Sequence, residues 1–414
     1  MYSLQLTDEQ REFRDTVRDF VASEIKPAAL HPDALQGPAG QLRHDLLEKT
    51  AEMGLRALML SEANGGAGGD HLTACIVAEE LAAGDVGIAA TLAETWRLAQ
   101  YLFDQAMSPE QCARFLPTFI ADNQYHLAYA GPPVDLEGGW RYHRPFPEGA
   151  PAGISAERQA NGDWLLDGVS GFVVNAPVAK LFAVQVQAKG AANSATLLVA
   201  GDNPGLKVRE PHAAGRGSGP NGEPLVKWYH GSGGQIALTK CRVPAADVLA
   251  NAGAGPDAGA ASGRGSPQAA AMNIGVGRAA FEAAVDYAKL RVQGAKPIIQ
   301  HQAIGTILAR VATKIEVARN MVRNAAWAAD HPEAYADRTL SDLPLQTIAS
   351  AYTAEAMYEV AEDSAECFGA MGVMLDMPLP KYVHETRVFL HSGHSAAVGN
   401  FRIAEAVAGY RRGQ

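Results

Sequence analysis

Few strings in this sequence could carry chemistry, and most of them fail on context. Gly275-Val276-Gly277-Arg278-Ala279-Ala280 has the spelling of a dinucleotide-phosphate turn. That turn works between a strand and a helix, where glycines let the backbone approach a pyrophosphate at the helix N-terminus. Here a Gly/Ser/Ala loop leads into it, so the string reads as part of a helix. His384, His391 and His394 can share one helical face, with His301 elsewhere, and clustered imidazoles are a metal-ligand pattern. No nearby cysteine or tight carboxylate set joins them, so they read as polar histidines beside a cleft. Walker A, GxSxG and HExxH sequences are absent.

The elements that would position these residues fall into three zones: 1–121, 122–250 and 251–414. In the first, Thr7 and Gln10 fit a capping box, and Phe13, Val17, Phe20, Val21 and Ile25 follow at helical spacing until Pro27 closes the run. Residues 41–60, 72–83 and 88–119 repeat that period around the loop Asn64–Gly69. In the second zone the period becomes two, with strands expected at 164–166, 172–174, 182–186, 195–199 and 235–238. Asn161-Gly162 predicts a type I′ hairpin before the first of them. The third zone is helical, and Ile304, Leu308, Val311, Ile315, Ala318, Val322 and Ala325 form a bundle seam. Alternating βαβ units are missing, which argues against a doubly wound sheet.

Composition narrows the function classes. With 47% apolar and 19% charged residues in 414, the chain folds with much buried surface. The balance of 35 basic and 45 acidic residues, net −10, disfavours nucleic acid and anionic membranes as partners. Cys75, Cys112, Cys241 and Cys367 are scattered without zinc spacing, and no long uncharged apolar run occurs. A reduced, cytoplasmic protein is expected.

Six strings, in order, resemble the acyl-CoA dehydrogenase family: LTDEQREFRDTVRDFVASEIKP, MGLRALMLSEANGGAGG, VAEELAAGDVGIAAT, CRVPAADVLA, RVQGAKPIIQHQAIGTILARVATKIEVAR and ECFGAMGVMLDMPLPKYVHETRVF. The resemblance implies an α+β fold: an N-terminal helical domain, a central β-barrel domain and a C-terminal four-helix bundle. It also implies FAD, an acyl-CoA substrate, and a homotetramer or dimer, with a hetero-oligomer as the alternative. In that family a carboxylate removes the thioester α-proton while the β-hydrogen leaves as hydride. A base near the α-carbon and donors to the enolate oxygen are the physical requirements.

Carried over residue by residue, Arg291 matches an FAD-phosphate arginine, and Gln302, Ile298 and Gly369 match further FAD contacts. Departures fall on the same site. The family's Y-x-V-T-E is Tyr129-Ala130-Gly131-Pro132-Pro133, its W-I-T-N is Phe172-Val173-Val174-Asn175, and its R-x-x-F-G-K carries Gly294 in place of the aromatic. Glu366 stands where a glutamine often contacts the ADP moiety. The family's Y-E-G-T becomes Ser392-Gly393-His394-Ser395, so glycine replaces the glutamate base while Ser395 keeps a hydroxyl for the cofactor. The other family location for the base reads Ser266-Pro267-Gln268, which leaves Gln268 as a substrate contact without a carboxylate.

Three groups could substitute for the base. Glu94, on a helix that lines the family's acyl pocket, could take the proton or be satisfied by Arg97. His391 and His394 are imidazoles, a side chain suited to general-base work, and the Gly393 backbone N–H could polarise the thioester. The expected function is a flavoprotein acting on an unusual acyl-CoA, by dehydrogenation with a relocated base or a related elimination. The alternatives are a non-catalytic or half-site subunit and a flavin-free lyase. Glycine is concentrated, 14 of 42 falling in residues 201–265. Within the Gly-rich stretch 211–234, residues 211–229 read as an insertion that gates the pocket.

Overall fold

The computed structural model describes residues 5–36, 42–131, 153–188, 194–209, 227–249, 266–335, 345–391 and 396–409. The first helix, α1 (Asp8–Phe20), opens on the expected capping box: the Thr7 hydroxyl accepts from the Gln10 N–H and the Gln10 side chain accepts from the Thr7 N–H, both at 3.1 Å. Pro27 does not end the run. A π-turn, Val21–Ile25, changes the hydrogen-bond register, and α2 (Lys26–Ala29) continues with Pro27 in its first turn, where a missing N–H is tolerated. Helices α3 (Pro32–Gln36), α4 (His44–Glu52) and α5 (His71–Gly84) follow. The expected segment 88–119 is two helices, α6 (Val86–Ala99, extended by a π-turn to Ala106) and α7 (Pro109–Ala121). Ser108 starts α7 with a second capping box, and Pro109 occupies its first turn.

Seven strands form one mixed sheet: β1 (His126–Ala130), β2 (Ser155–Arg158), β3 (Trp164–Val174), β4 (Ala179–Ala188), β5 (Ser194–Ala200), β6 (Leu206–Arg209) and β7 (Gly233–Val243). The order is β1-β4-β2-β3-β7-β6, with β5 on β4. Alternation divides its side chains: Ala128, Phe182, Val184, Leu197 and Val199 fill the sheet's own core, while Leu127, Tyr129, Leu181, Ala183 and Leu198 pack with α6 and α7 residues. The expected strands at 164–166 and 172–174 are one strand interrupted by register shifts against β7. The turn after Asn161 is not type I′, which needs positive φ at both central residues. Only Gly162 takes it, at +91°, within a longer connection.

The C-terminal helices are α8 (Pro267–Leu290), α9 (Gln302–Asp330), α10 (Leu345–Phe368), α11 (Leu379–His391) and α12 (Ala396–Ala408). A small hairpin, β8 (Val292–Gln293) and β9 (Lys296–Pro297), joins α8 to α9. The predicted seam of α9 is buried from Leu308 to Ala325, with Ile304 packed on its edge. The glycine string of α8 serves packing. A Cβ on Gly275 would lie 2.3 Å from the Glu79 carbonyl oxygen, and one on Gly277 would lie 2.7 Å from the Met357 sulfur. Glycine therefore lets α8 sit tightly between α5 and α10. Ion pairs lock the same junction: Arg319 holds Glu79 at 2.8 Å, and Arg278 and Arg18 each hold Glu80 at 2.6 Å.

Candidate functional site

Two groups of the candidate residues are separated by the length of α8. At its C-terminal end, Tyr287 stacks on Phe368 of α10 with ring centroids 4.1 Å apart. Antiparallel α9 reaches α10 through Arg310 and Asp363 at 2.7 Å, so its N-terminus lies at the same end. Arg291, Gln302, Glu366 and Gly369 therefore share one end of the bundle, all four exposed. Ile298 is buried there, its N–H donating to the Arg291 carbonyl at 2.8 Å. Among the described residues the Arg291 guanidinium has no ion-pair partner, and Gln302 opens a 29-residue helix whose N-terminal dipole favours anions. The hairpin turn places both Gly294 and Ala295 at positive φ, +58° and +65°.

Gln268 lies at the opposite end of α8, about 34 Å from Arg291 by helical rise. Its amide is half-buried, accepting from Ser266 at 3.1 Å and directed at the Met59 sulfur.

Around the β-domain, the candidate polar groups already have partners. The buried Tyr129 hydroxyl donates to Gln185, which in turn donates to Ser194 at 2.9 Å. Phe172 and Val174 are half-buried at the end of β3, and Gly131 is half-buried after β1. Asn175, at φ +64°, donates to the Thr91 carbonyl of α6 at 2.9 Å. Thr95 gives its proton to Thr91, so it accepts from His126 Nδ1 at 3.0 Å. Burial drives the His126 pKa down to about 3, and its Nε2 has no partner.

Glu94 projects from the same helix. Arg97 grips both of its oxygens, at 2.9 and 2.7 Å, and the side chain is 14% exposed. The carboxylate is thereby oriented, and the Arg97 pairing anticipated for it is present.

The segment 227–232 was not anticipated as an anchored unit. It is seated between α6 and α11. Lys227's carbonyl accepts from His384 at 2.9 Å, and the next anchor is His230. His230 packs on Phe389 at 4.2 Å, burial pulls its pKa down to about 3, and its Nε2 is unpartnered. The same helix carries the half-buried pair Lys381–Glu385. Burial raises the Glu385 pKa, while Glu385 and Asp85 hold Lys381 charged against its own burial. A sequence signal existed: Trp228-Tyr229-His230 interrupts a Gly-rich stretch.

Of the histidines, His301 donates to the Gln293 carbonyl at 3.0 Å and His391 is exposed. No group of three or more His, Cys, Asp or Glu side chains among the described residues could hold a metal. Gly393, His394 and Ser395 lie outside the described residues, as do Pro132, Pro133 and residues 211–226 of the Gly-rich stretch. No helix among the described residues is long and apolar enough to cross a membrane.

This order of helices, sheet and helices, with candidate site residues on each part, defines a recognisable class. Models for the acyl-CoA dehydrogenase N-terminal domain and C-terminal domain match residues 7–123 and 261–398. The chain belongs to the acyl-CoA dehydrogenase family. It is 26% identical over 395 residues to the mitochondrial isobutyryl-CoA dehydrogenase of Dictyostelium discoideum, covering 93% of this chain and 86% of that one. It is 27% identical over 419 residues to benzylmalonyl-CoA dehydrogenase of Aromatoleum aromaticum, covering 97% and 99%. A glutaryl-CoA dehydrogenase from Mycobacterium smegmatis in complex with FADH2 shares the fold, with a TM-score of 0.78 and 19% identity over 99% of this chain and 97% of that one.

Proposed function

We propose that this chain is an FAD-dependent oxidoreductase that introduces an α,β double bond into an acyl-CoA thioester, with Glu94 as a relocated proton acceptor. The observation that carries this reading is family architecture along nearly the whole chain, together with an exposed Arg291, without an ion-pair partner among the described residues, at the bundle end shared with Gln302 and Gly369. The residues fit FAD. Arg291 suits a diphosphate, which a guanidinium grips bidentately, and the α9 N-terminus adds positive potential. At the ring end the donor set is apolar and aromatic, so Phe172 and Val174 would bound the ring by contact rather than by hydroxyl bonds. Tyr129 and Gly131 would border it, Ser395 would offer a hydroxyl, and Glu366 would lie toward the adenosine.

FAD supplies a hydride acceptor when bound. The protein's part is to orient the acyl chain and take the α-proton. Arg97 orients Glu94 with one N–H on each oxygen, and a carboxylate oxygen has a second lone pair that could take a proton. The Gly393 N–H would polarise the thioester oxygen, since any residue except proline supplies that donor. Gln268 would contact the substrate at the entrance of α8. Homo-oligomeric assembly accords with the exposed apolar residues Leu290, Val292, Val373 and Leu375 at the bundle end. A second reading, a half-site subunit completing a partner's active site, is favoured by Val174, which offers no hydroxyl, and by the engaged Tyr129 hydroxyl.

The test is Glu94→Gln in the purified, FAD-loaded protein assayed against an acyl-CoA panel. Turnover should fall by at least ~100-fold, the low end for a positioned general base, with flavin content unchanged. Near-normal turnover would reject Glu94 and move the role to His394 or His391.

A further inference from the structure

Trp228 is 50% exposed although it belongs to an ordered aromatic cluster. Its ring centroid lies 4.8 Å from Phe172 and 5.3 Å from Tyr229, and Phe172 lies 4.7 Å from Tyr229. A Cβ on residue 233 would come within 2.2 Å of the tip of the Phe172 ring, so Gly233 is what leaves room for that ring against β7. Lys227 Nζ sits 5.3 Å over the Tyr229 ring and donates to the Gly231 carbonyl at 3.2 Å. Three rings and an ammonium thus make one surface with the indole outermost.

The backbone that carries this surface is fixed from several sides. His384 holds the Lys227 carbonyl, and His230, half-buried, packs on the Phe389 ring at 4.2 Å. Gly231 turns at φ +67° against α6, where a Cβ would meet the Thr91 hydroxyl at 3.0 Å. Asn175, the residue after Val174, donates its N–H to the Ser232 carbonyl at 2.8 Å. An exposed indole normally gains nothing from such anchoring. A preorganised aromatic face is what favours stacking on a planar, electron-poor heteroaromatic ring.

We propose that Trp228 is a stacking wall for the planar ring system of the bound flavin, supplied by the 227–232 segment beside Phe172. This rests on the FAD reading above. The ring is assigned to the flavin rather than to an adenine because the platform adjoins Phe172 and Val174 at the end of β3. Trp228 is a binding residue in this assignment and takes no part in proton transfer.

The experiment uses the full chain, freed of flavin, in wild-type, Trp228→Leu and Trp228→Phe forms. Each is titrated with FAD, FMN and AMP while tryptophan emission and flavin fluorescence are followed. Wild type should show saturable quenching with FAD and FMN, and Trp228→Leu should lose that quenching and weaken FAD binding by roughly 5- to 150-fold, the range for losing one stacked ring. Trp228→Phe should retain most of the affinity. Equal FAD affinity and equal loss of flavin fluorescence in Trp228→Leu would overturn this assignment while leaving the FAD reading intact. Quenching by AMP but not FMN would overturn the flavin assignment in favour of adenine. A wild-type protein that takes up no FAD would overturn both.

Discussion

The Arg291 end of the bundle and the β-domain offer opposite kinds of surface. At the Arg291 end the polar candidate side chains Arg291, Gln302 and Glu366 are exposed, and the guanidinium stands without an ion-pair partner among the described residues. At the β-domain the polar side chains are spent on one another, through Tyr129–Gln185–Ser194 and Asn175–Thr95–His126, and what faces outward is aromatic. In the proposed reading, charge would act at the first surface and ring contact at the second. The lesson is that lost hydroxyls at the ring end do not by themselves remove a cofactor site. They change which forces would build it.

The sharpest way to break this contrast is at the charged end. Arg291→Ala should weaken FAD binding by about 10- to 150-fold, the equivalent of ~1.5–3 kcal/mol for a charge-assisted hydrogen-bonded contact. The weakening should shrink as salt rises, because screening already reduces the wild-type contribution. Titration of both proteins at two ionic strengths measures it. Equal affinities would mean that the diphosphate lies elsewhere and that the ends do not divide the labour as described.

A smaller effect probes the anchoring of the aromatic end. His230 has its folded pKa depressed to about 3, so the unfolded chain binds its proton first as pH falls. Its stability contribution is therefore full above ~6.5, the unperturbed histidine value, and is lost progressively below it. The slope reaches ~1.4 kcal/mol per pH unit for one such group, and His126 adds a second with the same sign. His230→Phe should flatten the acid limb of a urea-midpoint profile between about pH 6.5 and 4.5. An unchanged limb would mean that His230 is not buried in neutral form, and the platform would lose one of its anchors.

How much of this was legible depended on how local each signal is. The Thr7 cap, the α9 seam and the Glu94–Arg97 pair arise from residues three or four apart, and each could be read directly. The glycines of α8 were read as helical, but their purpose needed α5 and α10, since only the neighbours show what a Cβ would strike. Strands β1, β2 and β6 are four or five residues long, too short for period two to stand out. Bulges hid the unity of β3. Pro27 misled because a π-turn absorbs the missing donor. The 227–232 segment was illegible for a different reason: its anchor His384 lies 157 positions away in sequence. The family resemblance located candidate residues well, yet only the structure shows which hydroxyls and carboxylates are already occupied.

The central claim is that this chain binds FAD despite the altered ring-end residues. Its most direct test is the visible absorption spectrum of the purified protein, before and after incubation with FAD and removal of excess. The account predicts flavin bands that travel with the protein and FAD released on denaturation. A colourless protein that remains colourless after FAD is added would contradict it.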